Sequence, residues 1–203
     1  MPCILKASLV KINPHIPESI IDDVVKTLTR DFTGTDMVAT NYDLYNKIRN
    51  QIKVKVRRNG RDDFDFVKLV DFDTPTNNTF TAVSQMWIRG KLYWRRPDVL
   101  IFVNGLPLVF IELKNSVVKV EEAYNKNLQD YIKDIPNLFA FNQICVLSNG
   151  LETRLGAFNA TYDYFFEWLK VDSEKEKPDR AGIRDSGAVS YTHLRAHETS
   201  AHL

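Results

Sequence analysis

Cysteine is scarce in this chain of 203 residues: only Cys3 and Cys145 occur, the second inside a segment that reads as a buried strand. That count excludes a disulfide scaffold, and two reduced thiols point to a cytoplasmic setting. Long apolar runs are missing as well. Val99–Val103 and Leu106–Ile111 are the longest, far short of the about 20 residues that a bilayer-spanning helix needs, so no membrane partner is expected. Lys6 and Lys11 interrupt the short apolar start, so no secretory signal is expected there. Neither sign of charge dominates, with 27 Lys and Arg against 26 Asp and Glu. Net charge therefore announces no nucleic-acid partner, and any basic surface must be local, with Arg57–Arg58 and Arg95–Arg96 as candidates. No internal repeat, low-complexity tract or G-x-x-x-x-G-K-[ST] phosphate loop occurs, so no nucleotide-binding residues are assigned.

Histidine is nearly absent from the body of the chain. Of the four, His193, His197 and His202 lie in the tail, where Val189–Thr199 reads VSYTHLRAHET. This string resembles the one-frame translation of a transposon-type sequencing adapter. Residues 184–203 are therefore expected to be an adapter artefact, with the coding sequence ending between Ala181 and Ala188. The i,i+4 spacing of His193 and His197 is accordingly given no metal chemistry. His15, beside Pro14, reads as a surface residue.

Periodicity supplies the elements. Ile20, Ile21, Val24, Val25 and Leu28 predict an amphipathic helix over residues 17–30, with Pro17 at its first position. A second helix is expected over Asp36–Asn50. Strands are expected at Ile52–Arg57, with a turn at Asn59-Gly60, and then at Val67–Phe72, Thr79–Trp87 and Lys91–Trp94 as an antiparallel meander. A helix over Val120–Asp134 places Tyr124, Leu128, Tyr131 and Ile135 on one stripe and ends at Pro136. Strands follow at Gln143–Ser148 and Thr153–Phe158, and the charged stretch Lys170–Lys177 reads as a linker. Asp62, Asp63, Asp65, Asp71 and Asp73 alternate with Phe64, Phe66 and Phe72 and are read as structural, on outward strand faces and turns.

The most informative segment is Arg95–Asn115, RRPDVLIFVNGLPLVFIELKN. Two apolar strands flank Asn104-Gly105, and the charges at their ends, Asp98, Glu112 and Lys114, need a reason to be there. Asp…Glu-x-Lys is the signature of PD-(D/E)xK nucleases, which hydrolyse phosphodiesters with a bound divalent metal. Glu112 and Lys114 are two apart and project from one strand face, and Asp98 comes from the neighbouring strand. Asp98 and Glu112 would hold Mg2+, with the Leu113 carbonyl as a further ligand, because this ion takes one or two carboxylates with waters and phosphate oxygens. Lys114 would orient the attacking water or stabilise developing negative charge.

This assignment makes a geometric demand. Asp98 must lie opposite Glu112, so paired residue numbers must sum to 210, whereas a two-residue Asn104-Gly105 turn pairs Val103 with Leu106 and gives 209. A three- or five-residue loop or a bulge is expected, with Gly105 at positive φ.

The same segment closely resembles the nuclease region of the type I restriction enzyme R subunit, the motor and cleavage subunit. KINPHIPESI and VDFDTPTNNTF upstream, and AYNKNLQDYIKDIPNLF and VLSNG downstream, resemble it too, in order over residues 8–168. The resemblance implies an α/β fold, a restriction-endonuclease-like mixed sheet flanked by helices with a helical lead-in. It divides the chain into a lead-in at 1–52, a PD-(D/E)xK nuclease core at 53–170 and, at 171–183, a linker towards an absent motor. It implies Asp98, Glu112 and Lys114 as the cleavage centre. The family's Gln-x-x-x-Tyr element is matched at Tyr131, but Asn127 stands at the Gln position with a shorter reach. The resemblance implies a further helical region with an acidic residue before the part matched by Met1, and a helicase motor after the nuclease region, neither expected within these residues, so ATP would act only through that motor.

The expected substrate is foreign duplex DNA, cut after ATP-driven translocation and gripped by its backbone, with Arg95, Arg96, Lys119 and Lys126 as candidate contacts. The expected partners are the methylation and specificity subunits of the restriction complex. A catalytically incomplete DNA-binding or assembly fragment is the alternative, and another PD-(D/E)xK enzyme such as a junction resolvase is a third, disfavoured by the matches outside the motif.

Overall fold

The computed structural model describes residues 2–58 and 60–168. The linker expected at 171–183, the adapter-like segment 184–203 and its three histidines lie outside the described residues. Three helices open the fold. Leu5, Leu9 and Ile12 recur at helical spacing, and α1 (Pro2–Ile12) buries all three; no helix is foreseen there by the sequence reading. The next, α2 (Glu18–Leu28), buries Ile21, Val24, Val25 and Leu28 behind Pro17, which stands at its N-cap. Asp36 caps α3 (Met37–Asn50), its carboxylate accepting from the Val38 and Ala39 N–H groups at 3.0 and 3.1 Å.

An antiparallel ribbon follows, β1 (Ile52–Arg58) and β2 (Arg61–Val67), turning at Gly60 with φ +79°. The strand expected at Val67–Phe72 is thus displaced: β2 folds straight back onto β1 and ends at Val67. Side chains take over the chain beyond it. Asn13 grips Lys68 through both backbone groups, and Asn78 accepts from the Asp71 N–H at 2.8 Å. Val67 and Leu69 join one hydrophobic cluster with Leu5, Leu9, Ile21, Leu28, Leu44, Leu106 and Phe141. The division drawn at 52/53 runs through this cluster, since Ile52 and Val54 of β1 pack against the helices.

The central sheet has six strands in the order β10-β9-β8-β7-β6-β3. These are β3 (Phe80–Ser84), β6 (Val99–Val103), β7 (Leu106–Leu113), β8 (Ile144–Ser148), β9 (Thr153–Gly156) and β10 (Phe166–Glu167). Only β7 and β8 run parallel, as the helical crossover between them allows. The expected meander is not formed. β3 pairs with β6 in the central sheet, and Gln85 at φ +50° ends it well before Trp87. Two-residue strands β4 (Ile88–Arg89) and β5 (Trp94–Arg95) make a ribbon of their own, so Lys91–Tyr93 is its turn and not a strand. Among the described residues no helix is long and apolar enough to cross a membrane.

The helix expected over Val120–Asp134 is present in three continuous pieces: α4 (Val120–Glu122), a π-helical stretch Ala123–Leu128, and α5 (Gln129–Asp134). Its stripe packs on one face of the sheet. Leu128 and Ile135 are buried with Phe110, Phe139, Cys145, Leu147 and Phe165 in the second cluster, and Tyr124 donates to the Ala160 carbonyl at 2.9 Å. Each such ring or branched side chain contributes about 1.5–3 kcal/mol on burial.

The hairpin joining β6 to β7 is where the fold sets the site. Asn104 and Gly105 both have positive φ, 53° and 84°, and form a tight two-residue turn with Val103 opposite Leu106. Phe102 still pairs with Pro107, but Ile101 pairs with Val109, so Leu108 is an extra residue in a bulge. From there the pairs are Leu100 with Phe110 and Val99 with Ile111, and the next pair in that register is Asp98 with Glu112. The Leu108 carbonyl accepts from the Gln143 N–H at 2.8 Å, fastening the bulge to the start of β8.

Candidate active site

Alternation on β7 puts Phe110 and Glu112 on the same face. Phe110 is fully buried, its ring 5.7 Å from Tyr131 and 5.8 Å from Phe139. Glu112 is the next residue in that row and is carried under the helix with it, at 2% exposure. Its Oε1 accepts from Lys114 Nζ at 3.1 Å. Its Oε2 is buried without any hydrogen-bond partner, alone in this among the described side chains. Burial, and then the negative charge of Asp98, push the Glu112 carboxyl up from 4.5 to about 7 against the opposing pull of Lys114.

Asp98 sits at the end of β6. Its Oδ2 accepts from the Leu113 N–H at 2.8 Å, continuing the ladder with a side chain where the strand stops, and its carbonyl accepts from the Gln85 N–H at 2.8 Å. Leu113 pairs with Ser148 in the parallel ladder, and the Lys114 N–H donates to the Ser148 carbonyl at 2.7 Å. Backbone from three strands therefore holds the two carboxylates and the lysine. Tyr131, 7% exposed, donates to the Arg96 carbonyl at 3.4 Å. Its phenol is raised by burial and by the charges of Glu112 and Asp98, with the Asn127 amide acting in the opposite direction. Tyr131, in α5, packs on Phe110 in the row that carries Glu112, and Asn127, in the π-helical stretch, reaches the Tyr131 phenol.

A buried acceptor left unpaired costs about 1–3 kcal/mol, and an ionised one costs more. A bound cation would remove that cost. The donor chemistry fits Mg2+: two carboxylates and a backbone oxygen are hard ligands, and this ion completes its shell with waters and phosphate oxygens. Among the described residues no group of three or more His, Cys, Asp or Glu gathers, so the closed donor sets typical of structural zinc are not formed.

The proposed backbone contacts fare differently from one another. Arg95 is engaged within the protein: its guanidinium bonds Asp134 through Nε at 2.7 Å and through Nη2, and Asp130 at 3.1 Å. Asp130 and Asp134 are one turn apart on α5 and face it together, so Arg95 ties β5 to the helix in place of the free phosphate contact expected. Arg96 is exposed, its guanidinium 5.2 Å from the Trp87 ring centre. Lys119 is exposed before α4, and Lys126 is exposed and paired with Glu122 at 2.7 Å. The acidic residues read as structural are tied up locally: Asp65 with Arg58 and, at 3.5 Å, His15; Asp73 with Lys68; and Asp71 with Asn77 and Thr74. Sequence reading overlooked the exposed rings of Trp87, Tyr93 and Trp94 beside the site, although MWIRGKLYWRR spells them out.

Fold and site together define an α/β protein with two carboxylates and a lysine on adjoining strands at one end of a mixed sheet. The profile described as Type I restriction enzyme R protein N terminus matches residues 3–164, and the chain belongs to that family. It is 39% identical over 185 residues to the type I restriction enzyme HindI endonuclease subunit of Haemophilus influenzae, covering 89% of this chain and 17% of that protein. It is 33% identical over 184 residues to the putative type I restriction enzyme MjaIXP endonuclease subunit of Methanocaldococcus jannaschii, covering 85% of this chain and 17% of that protein. With the EcoprrI endonuclease subunit of Escherichia coli it shares 43% identity over 117 residues, 53% of this chain and 36% of that protein. The chain thus spans about a sixth of the length of the first two relatives.

Proposed function

We propose that this chain is the phosphodiester-cleaving region of a type I restriction R subunit, acting on duplex DNA with Mg2+ held by Asp98, Glu112 and the Leu113 carbonyl. The observation that carries the reading is the orphaned, buried Glu112 Oε2 beside Asp98 and Lys114. When bound, the cation supplies charge neutralisation on the phosphate and a more acidic water. Lys114 holds Glu112 in place and presents its ammonium to the developing negative charge. Asn127 and Tyr131 line the helix side of the same centre and position the phosphate or the attacking water. Arg96, Lys119 and Lys126 meet the DNA backbone, which would let the domain cut without reading sequence. In the whole protein, cleavage would follow ATP-driven translocation by a motor outside this chain. Methylation and specificity subunits would select the site, and the complex would work in the cytoplasm.

Nicking of supercoiled plasmid tests this. The chain with Mg2+ or Mn2+ is expected to nick, and Glu112→Ala and Lys114→Ala are expected to abolish nicking. Equal nicking by the parent and Glu112→Ala would refute the site.

A further inference from the structure

The β4–β5 ribbon and the residue before it gather exposed rings and positive charge in one short stretch. Trp87, Tyr93 and Trp94 are 60%, 58% and 57% exposed, although large rings are normally drawn into the interior. Each lies near an arginine: Arg96 is 5.2 Å from the Trp87 ring centre, Arg95 5.9 Å from Tyr93 and Arg89 5.9 Å from Trp94. No acidic residue occurs between Asp73 and Asp98, while Arg89, Lys91, Arg95 and Arg96 do. The other ribbon differs, because Asp62 stands opposite Arg57 and both Asp63 and Asp65 pair with Arg58.

The exposure does not come from a loose loop. The Gly90 N–H donates to the Tyr93 carbonyl at 2.8 Å and closes the turn. A Cβ on Gly90 would stand 1.9 Å from the Asp134 carbonyl oxygen, so the ribbon lies directly against the end of α5. Arg95 clamps it there through Asp130 and Asp134. The rings are held out by a fixed support.

The ribbon also emerges from the site itself. Ser84 pairs with Val99, and the Gln85 N–H donates to the Asp98 carbonyl, so the chain leaves the sheet and returns to it at the candidate metal ligand. Trp94 is four residues from Asp98, about 13 Å at most along an extended chain, which is roughly the rise of four stacked nucleotides.

We infer that this ribbon is a stacking platform for unpaired bases next to the scissile phosphate, so that the centre takes DNA as a locally separated strand. Phosphate contacts alone would be served by Arg89, Arg96 and Lys91. Open rings add an attraction that paired bases, with their faces covered by neighbours, cannot meet, and every unpaired base can. The inference rests on the nuclease reading for its substrate, but it concerns a different set of atoms.

Tryptophan fluorescence of the full chain in EDTA tests it, with a twelve-nucleotide oligothymidylate and a duplex of the same length as probes. The single strand is expected to quench the emission and to bind at least ten-fold more tightly than the duplex. Trp87→Ala and Trp94→Ala are each expected to weaken single-strand binding about ten-fold, with unchanged circular dichroism, and Trp94→Phe to restore part of it. Equal or tighter binding of the duplex, or wild-type affinity in both tryptophan variants, would overturn the platform. Binding of neither probe would overturn it too. Because these titrations need no cleavage, a chain that binds the single strand but never nicks fails only the nuclease reading. One that nicks while preferring the duplex fails only the platform.

Discussion

Replacing Glu112 by glutamine keeps the shape of the side chain and removes its charge. In the cation-free protein the carboxyl is raised from 4.5 to about 7, which corresponds to about 3 kcal/mol of penalty on the ionised form. The sign follows from the direction. Below about pH 4.5 the carboxyl is neutral in folded and unfolded chains alike, and nothing is lost. As pH rises towards 7 the unfolded chain ionises first and the folded chain loses stability, and above 7 the full penalty applies. The wild type without divalent cation should therefore weaken between pH 4.5 and 7, and Glu112→Gln should not. The pull of Lys114 is already part of that balance, so the variant should be about 3 kcal/mol more stable at pH 8. That is about 6–12 °C in Tm for a domain of this size. Mg2+ at a thousand times its dissociation constant should add about 4.1 kcal/mol to the wild type and nothing to the variant, reversing their order. Thermal melts at pH 5 and pH 8, in EDTA and in Mg2+, read all four states. A variant less stable than the wild type at pH 8 in EDTA, or an equal response of both to Mg2+, would refute the reasoning.

Two further substitutions probe the frame around the site. Asn104→Gly keeps the left-handed backbone of the turn but removes the side chain that donates to the Leu69 carbonyl and Asn78 Oδ1 and accepts from the Thr79 N–H. A loss of about 3 kcal/mol is expected in urea denaturation, and a change under 1 kcal/mol would show that the turn does not depend on this net of bonds. Arg95→Ala should lower stability by about 1–3 kcal/mol through the unpaired Asp134 and leave the salt dependence of DNA binding unchanged, whereas Arg96→Ala should reduce that dependence with little effect on stability. The opposite pattern in parallel melts and salt titrations would return Arg95 to the DNA surface.

What could be read from the sequence was whatever depends on local pattern. The stripes of α2 and of Val120–Asp134, the helix expected over Asp36–Asn50 and the paired apolar strands around Asn104-Gly105 each follow from spacing and turn chemistry. The demand that Asp98 face Glu112 was enough to require an irregularity in the hairpin. The bulge meets it, with Gly105 at positive φ. What escaped depended on distant partners. Val67–Phe72 looks like a strand until Asn13 and Asn78 claim its backbone. The meander failed because β6, and not its neighbours in sequence, is the partner of β3. Arg95 looked like a phosphate contact because Asp130 and Asp134 lie far along the chain and meet it only through α5. The stripe of α1, Leu5, Leu9 and Ile12, is too short for spacing alone to separate it from an apolar leader.

The extra residue at Leu108 uncouples two requirements that a plain hairpin would bind together. A two-residue turn joins strands with an even number of residues between partners, yet thirteen lie between Asp98 and Glu112. The bulge corrects this parity once, on the turn side of the site, and β8 holds the correction in place through the Leu108 carbonyl. Tip and centre are thereby free to vary on their own terms. The tip can keep the Asn-Gly chemistry that fits it against α1 and the 69–79 loop, while the far end keeps its carboxylates in phase. A single-residue insertion in β7 between Leu108 and Glu112 would shift that phase by half a pleat and set Glu112 on the opposite face from Asp98, with every strand still in place.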